Sequence, residues 1–348
     1  MAEQPGSTAD QPEAILARVL GQMDRALIGQ QAMHRLVLAG FLSRGHLLLE
    51  GMPGLGKTSL IVAMGRLLGL SFGRVQFTPD LMPSDILGTT ILEERAEGGR
   101  EFVFKPGPVF TNILLADEIN RASPKTQAAL LEAMQERAVT AGGQTRVLPS
   151  PFVVLASQNP VELEGTYALP EAQLDRFSMK IDVRMPQANV LESIITDRRH
   201  GAMPEFEPVT DAEGLAALFA AVDSVALPKA VASYIARLVH ATHPESPDAP
   251  PEPARAIAHG ASPRAAIALA DVSRAIALIA GRRTVGFEDV AELAGPVLRH
   301  RIILNHEARF DGLGPDRVIE QIAAGVEQVP GAMPRGMALA DGAEAGRG

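Results

Sequence analysis

The chain has 348 residues, of which 46% are hydrophobic and 21% charged, a globular balance that excludes disordered, collagen-like and coiled-coil readings. It contains no cysteine, which removes disulfides, thiolate nucleophiles, zinc ribbons and iron–sulfur clusters. A net charge of −9, 4% aromatic residues and no tryptophan leave no global electrostatic footprint for nucleic acid and few platforms for stacking bases, although a local basic patch stays open.

A chain of this length can bury roughly three quarters of its unfolded surface and suggests about two domains. The polar, acidic start from Met1 to Ala14 lacks the plan of a signal peptide, and no apolar run is long enough to cross a bilayer. A cytoplasmic location is therefore expected.

Residues 1–12 read as a flexible tail, broken by Pro5, Gly6 and Pro12. Ile15, Val19 and Met23, spaced four apart, predict a helix. A turn-like break, Leu27 to Gln30, precedes a second helix to about Arg44. The apolar run His46 to Glu50 predicts a buried strand that ends in a glycine-rich turn. Thr58 to about Gly69 then reads as a helix with Ile61, Met64 and Leu68 on one face.

Further apolar runs at Asn112 to Ala116, Phe152 to Ala156 and Met179 to Val183 alternate with helical patterns. That combination predicts a parallel sheet covered by helices. Thr89 to Phe104 and Val139 to Leu148 read as hairpins turning around Gly98-Gly99 and Gly142-Gly143. Between them, Ser123 and Pro124 start a helix whose buried face is Leu130, Met134 and Ala138, with Glu132 and Glu136 on the wet side.

Beyond about Leu191 helices dominate. His243 to Pro263 is proline-rich and reads as a loop. Ser262 caps a helix with Pro263 at its first position, Leu269, Val272, Ile276 and Ile279 on one face and Gly281 as its stop. Another helix starts near Phe287, where Pro296 should kink or break it. Gly331 to Gly348 is Gly/Ala-rich and reads as a disordered tail. His240 with His243, and His300 with His306, find no third ligand in the pattern, so no metal site is assigned to them.

Two motifs carry chemistry. Gly51, Met52, Pro53, Gly54, Leu55, Gly56, Lys57 and Thr58 match GxxxxGK[ST] in full, with a strand before and a helix after. A triphosphate needs backbone N–H groups pointing inward around its oxygens, and glycines leave that space open. Lys57 then reaches the β- and γ-phosphates, Thr58 ligates Mg²⁺, and Ser59 completes the candidate set for ATP. The alternative is a chance glycine-rich turn.

The second motif is Asp117-Glu118 at the end of an apolar strand, the edge of a parallel sheet that faces the ligand crevice. Asp117 is placed to hold Mg²⁺ and Glu118 to polarise the attacking water. Neighbouring strand residues point to opposite sides, so the two acids can take different jobs. Solvated acids at a strand end are the plain alternative.

Together these segments resemble an AAA+ ATPase, and closely its MoxR branch. The likeness is carried by Asn112 to Arg121, by Pro124 to Gln127, by Glu132 to Glu136 and by Ala156 to Pro160. It continues through Glu164 to Tyr167, Leu169 to Phe177, Gly260 to Ala265 and Val297 to Leu304. The resemblance implies an α/β P-loop core with a parallel sheet flanked by helices, over residues 13–200. It also implies hairpin inserts at about 88–104 and 139–148, and a smaller all-α lid over 201–330, ahead of the tail at 331–348.

The resemblance further implies that Asn159 is sensor 1, Arg176 an arginine finger for the neighbouring subunit and Arg264 sensor 2, and that Ile28 and Gly29 lie at adenine. It implies a ring, typically a hexamer, that remodels a protein or protein–cofactor complex. Partners with a von Willebrand factor A domain are common in such systems. From the residues alone, Asn159 also reads as a turn former before Pro160, Arg264 as an exposed arginine, and Arg176 as an ion pair with Asp175 or Glu171.

A nucleic-acid client and a non-hydrolysing switch or scaffold are the competing functions. Net charge and low aromatic content speak against the first, and the set Asp117, Glu118 and Asn159 against the second. No NKxD-type motif points to guanine.

Overall fold

The computed structural model describes residues 11–52, 54–94, 99–160, 165–197 and 205–329. The readings that fall on the tails, on Pro53, on Gly98 and on Glu164 lie outside them.

Helix α1 (Pro12–Ala26) opens with proline in its first turn and buries Ile15, Leu16, Val19 and Met23. Gly29, at φ +82°, turns the chain into α2 (Gln31–Leu42). Then follow β1 (Leu47–Glu50), α3 (Lys57–Leu67), β2 (Phe72–Gln76) and α4 (Pro83–Leu87). A hairpin, β3 (Gly88–Glu94) with β4 (Arg100–Pro106), leads to β5 (Ile113–Asp117), a single 3₁₀ turn at Ile119–Arg121 and α5 (Pro124–Glu136). The second hairpin pairs β6 (Ala138–Ala141) with β7 (Gln144–Val147), and β8 (Val153–Gln158), α6 (Glu171–Leu174), β9 (Met179–Asp182) and α7 (Ala188–Asp197) follow.

Strands β2-β5-β8-β1-β9 form one sheet, in that order, with every pairing parallel. The period of two sorts its residues between two cores. Leu47, Leu49, Ile113, Leu115, Val153 and Leu155 enter the core shared with α1, α2, α3 and the C-terminal helices. Leu48, Leu114, Ala116, Val154 and Ala156 enter the core under α5. This two-sided burial explains why the strands read as continuous apolar runs.

The C-terminal region contains α8 (Ala212–Asp223), α9 (Lys229–His240), α10 (Pro251–Ala254) and β10 (Ile257–His259). After them come α11 (Pro263–Ile279), α12 (Phe287–Leu298), β11 (Ile303–Leu304), α13 (His306–Phe310) and α14 (Pro315–Gly325). It is helical apart from the short antiparallel ribbon β10–β11, and α11 packs on α2. Ser262 caps α11 as its spacing suggests, although its Oγ accepts from Arg264 N–H at 3.2 Å.

Several expectations change, among them Ala138, which opens β6 instead of extending the buried face of α5 because the left-handed Arg137 ends that helix. The sequence pattern does not predict strand β2. Phe-Gly-Arg-Val-Gln lacks an apolar run because it sits at the sheet edge and buries only Val75. Helix α12 runs through Pro296. The proline lies close to the helix end, and the helix bond it forgoes is the one to the carbonyl of Glu292, an exposed residue. The proline-rich stretch from His243 to Pro263 holds α10 and β10 instead of being all loop.

The two hairpins touch each other. The Arg146 guanidinium stands 3.9 Å over the Phe104 ring, which also meets Phe110 edge-on at 5.7 Å. Gly142 and Gly143, at φ +60° and +73°, supply the two left-handed positions of a tight two-residue turn.

His46 sits at the floor between sheet and α5. Its Nδ1 accepts from Val154 N–H at 3.0 Å, and its Nε2–H donates to the Met134 carbonyl at 3.1 Å. Burial pushes its pKa down from 6.5 to about 4. Above pH 6.5 the ring is neutral folded or unfolded and costs nothing. As pH falls below that value only the unfolded chain takes up the proton, so about 3 kcal/mol of stability is lost by pH 4. Urea unfolding from pH 7 to pH 4 should show this loss, and His46→Gln should flatten the slope; an equal slope in both proteins would refute it.

Candidate active site

The phosphate loop begins where β1 ends. Gly54 and Gly56 hold φ +82° and +78°, so both occupy the left-handed region, and a Cβ on Gly56 would stand 2.4 Å from Leu27 Cδ1. Helix α3 then starts at Lys57 with no side chain capping it. Its first N–H groups therefore face the crevice with the positive end of the helix dipole behind them. Lys57 Nζ donates to the Gly51 carbonyl at 2.8 Å. Burial lowers its pKa, while Asp117, Glu118 and Glu50 pull it back up.

Asp117 closes β5. Its Oδ1 accepts from Ser157 Oγ at 2.5 Å and its Oδ2 from Arg74 Nη2 at 2.8 Å. Glu118 leaves the strand in a left-handed conformation, φ 56° and ψ 49°. For a residue with a side chain this is strained, and such strain is concentrated at functional sites. The strand-alternation argument therefore does not apply to the pair: the turn at Glu118 lets both acids reach one cleft. Glu118 N–H donates to Ser157 Oγ at 2.9 Å, and its Oε2 accepts from Gln76 Nε2 at 2.7 Å and Arg121 Nη1 at 2.9 Å.

Gly54, Leu55, Gly56, Lys57, Thr58 and Ser59 line a cleft of about 400 Å³ together with Arg74, Gln76, Asp117, Glu118 and Asn159. Asn159 itself is buried just past β8. A hydroxyl at Thr58 and a carboxylate at Asp117 are hard oxygen donors suited to Mg²⁺, and the uncapped glycine-rich turn fits a polyphosphate. Gly51 lies beneath, where a Cβ would come within 2.6 Å of the Val183 carbonyl.

The remaining candidates lie elsewhere. Gly29 lines a separate hollow of about 580 Å³ with Gln30, Met33, Val190, Pro296 and Arg299, and Ile28 beside it is half-buried. Arg176 and Arg264 share a third hollow of about 320 Å³ with Asp175 and Arg301. Arg176 does not pair with Asp175 or Glu171. Its Nη1 donates to the Leu131 carbonyl at 3.4 Å and to Gln135 Oε1, both on α5. Arg264 is half-exposed, with Nη1 3.5 Å from Asp175 Oδ2.

Two residues that line the cleft and one buried behind it are not singled out by the sequence pattern. Arg74 and Gln76 belong to the unexpected strand β2, where the register sets Gln76 directly opposite Asp117. Ser157 lies two residues before Asn159 on β8, next to β5, and one hydroxyl serves both acids. That offset was the available signal.

Residues 46–179 match the model of the ATPase family associated with various cellular activities (AAA), and residues 253–322 match an AAA lid domain. The chain is 42% identical over 307 residues to Chaperone MoxR1 of Mycobacterium tuberculosis, covering 88% of this chain and 80% of that protein. It is 33% identical over 320 residues to Protein MoxR of Methylorubrum extorquens, covering 87% and 92%. A crystal structure of a Cytophaga hutchinsonii protein, described as a candidate ATPase, superposes with a TM-score of 0.83 at 40% identity, covering 91% of this chain and 95% of that one. Phosphate loop, acidic pair, parallel sheet and helical lid thus occur together in a chain that belongs to the MoxR family of AAA+ ATPases.

Proposed function

We propose that the chain hydrolyses ATP with Mg²⁺ and uses the cycle to remodel a protein or protein–cofactor complex, as part of a ring of identical subunits. The observation that carries this reading is the convergence of the phosphate loop, Asp117, Glu118 and Asn159 on one cleft at the carboxyl edge of the sheet.

In this reading the N–H groups of residues 54–58 and Lys57 Nζ hold the phosphates. Thr58 and Asp117 would hold Mg²⁺, whose charge offsets that of the β- and γ-phosphate oxygens. Asn159 orients a water. Glu118 takes a proton from that water as it attacks the γ-phosphorus and the bond to the bridging oxygen breaks. Gln76 and Arg121 both bind Oε2 of Glu118, which puts Oε1 forward as the proton acceptor.

Arg176 and Arg264 line a hollow separate from the cleft. This supports service of Arg176 to the neighbouring subunit's nucleotide, with Arg264 as sensor 2 in the lid and Ile28 and Gly29 at the base. The hairpins supply client contacts: Leu92 and Phe102 are cross-strand partners, and Phe102 is 75% exposed. Among the described residues no helix is long and apolar enough to cross a membrane. A cytoplasmic ring working with a von Willebrand factor A domain protein completes the proposal.

Mg²⁺-dependent phosphate release by the purified chain, with a rate per protomer that rises with protein concentration, is the direct test. No adenine-nucleotide affinity, or full turnover by dilute single subunits, would overturn it. Ser157→Ala removes the hydroxyl shared by the two acids and is expected to weaken the Mg²⁺ response about 10- to 100-fold. A Mg²⁺ titration of turnover reads this directly, and an unchanged half-saturation point would count against the role given to Ser157.

A further inference from the structure

The short segment Asp175 to Ser178, which carries Arg176, is gripped by the helical lid. Arg301, in the turn between α12 and β11, has a side chain only 2% exposed. Its Nε donates to Asp175 Oδ1 at 2.9 Å, and its Nη2 donates to the Asp175 carbonyl at 3.2 Å and the Phe177 carbonyl at 2.6 Å. Its Nη1 reaches the Ser178 carbonyl at 3.1 Å and the Val297 carbonyl of α12 at 2.5 Å. The neighbouring His300, kept neutral by burial, bonds through Nε2 to the Phe177 carbonyl at 3.0 Å. From the start of α11, Ser262 Oγ meets both oxygens of Asp175, at 3.0 and 2.8 Å.

The acceptors of this guanidinium flank Arg176 on both sides in the chain, so the fork fixes the backbone path through the finger position. A lysine presents a point charge and cannot reproduce that planar arrangement. Stability alone is a poor reason for such a group. A buried ion pair often gains nothing over well-packed apolar residues, and its best-attested use is to specify one arrangement. Meanwhile the tip of Arg176 rests on the core helix α5. The finger's backbone is thus held by the lid and its tip by the core.

We propose that Arg301 is a positioning residue for the arginine finger, tying the segment Asp175 to Ser178 to the lid so that lid position sets Arg176 for the neighbouring subunit's nucleotide. The proposal rests on the reading that Arg176 acts in the neighbour's site. A shift of the lid on one subunit then changes catalysis in the next, which links successive sites around the ring.

Mixed rings of the full-length chain test this. Arg301→Lys is expected to lower kcat about a hundredfold, as misplacement of a catalytic group by an ångström does, while the KM for ATP stays within about twofold of wild type. Mixing it with Lys57→Ala protein, which has an intact finger but a disabled phosphate loop, should restore turnover well above the sum of the two alone. A simple defect in the variant's own cleft would not be rescued in this way. Asp175→Ala removes the carboxylate from the same grip and should behave alike; it decides the matter if Arg301→Lys does not fold.

The control is Arg176→Ala mixed with Lys57→Ala. If that control is rescued and neither Arg301→Lys nor Asp175→Ala is, Arg301 does not position the finger. If the control also fails, the assignment of Arg176 to the neighbour's site is wrong and the proposal falls with it. A rise in the KM for ATP that matches the fall in kcat/KM would likewise overturn it.

Discussion

Glu118→Gln is expected to bind ATP as tightly as the wild type and to hydrolyse it about 10²- to 10⁴-fold more slowly, the usual contribution of a positioned general base. Apart from neutralising the acid partner of Arg121, the substitution changes little else. Glutamine has the same shape, its carbonyl oxygen can still accept from Gln76 Nε2, and its N–H can still donate to Ser157 Oγ. The backbone at this position is already left-handed, and glutamine bears the same strain as glutamate there. What disappears is the capacity to take a proton from water at neutral pH.

Calorimetric ATP binding together with single-turnover hydrolysis separates the two effects. Because nucleotide is retained, a pull-down with this variant and ATP should also hold partners in the loaded state. Undiminished hydrolysis would show that another group accepts the proton. Loss of ATP binding instead would mean that Glu118 supports the cleft rather than the chemistry.

The parts of the site legible in the sequence are those whose chemistry demands contiguous residues. A phosphate cradle must alternate glycines with a lysine and a threonine at a helix start, so Gly51 to Thr58 declares itself. Asp117 and Glu118 are legible because they end an apolar run buried on both faces, which can only be an inner strand.

Residues that act across strands leave no such trace. Arg74 and Gln76 reach Asp117 and Glu118 only because β2 lies beside β5, and β2 itself is hidden by a glycine, an arginine and an edge position. Ser157 was visible as a residue but not as the joint partner of two acids on the next strand. Arg176 shows the opposite case. Local spacing suggests an ion pair with Asp175 or Glu171, yet Asp175 is taken by Arg301, Arg264 and Ser262 from the lid, more than 80 positions away in sequence. The same distance explains why Arg301 reads as one basic residue among several until the fold closes around it. Pro296 shows how a local rule gives way to tertiary context. A helix whose Val290, Leu293, Val297 and Leu298 are all buried continues through a proline near its end.

Arg176→Ala is expected to reduce turnover about 10³- to 10⁵-fold, the range spanned by arginine fingers that stabilise charge on a transferring phosphoryl group. Affinity for ATP should change far less, because Arg176 does not line the cleft that holds Lys57, Asp117 and Glu118. Folding should also survive. The partners lost are the Leu131 carbonyl and Gln135 Oε1 on α5, and the segment itself stays anchored through Asp175 and the Phe177 carbonyl. Dilution adds a second reading of the same variant. Wild-type turnover per protomer should fall toward the level of Arg176→Ala as the protein is diluted below assembly, since a lone subunit lacks a neighbour's finger. The variant's own low rate should be nearly independent of concentration. Steady-state phosphate release over a dilution series, with gel filtration alongside, checks both. Should Arg176→Ala keep its turnover in assembled rings, the finger must be another arginine. Arg264, half-exposed in the same hollow, would then be the next residue to replace.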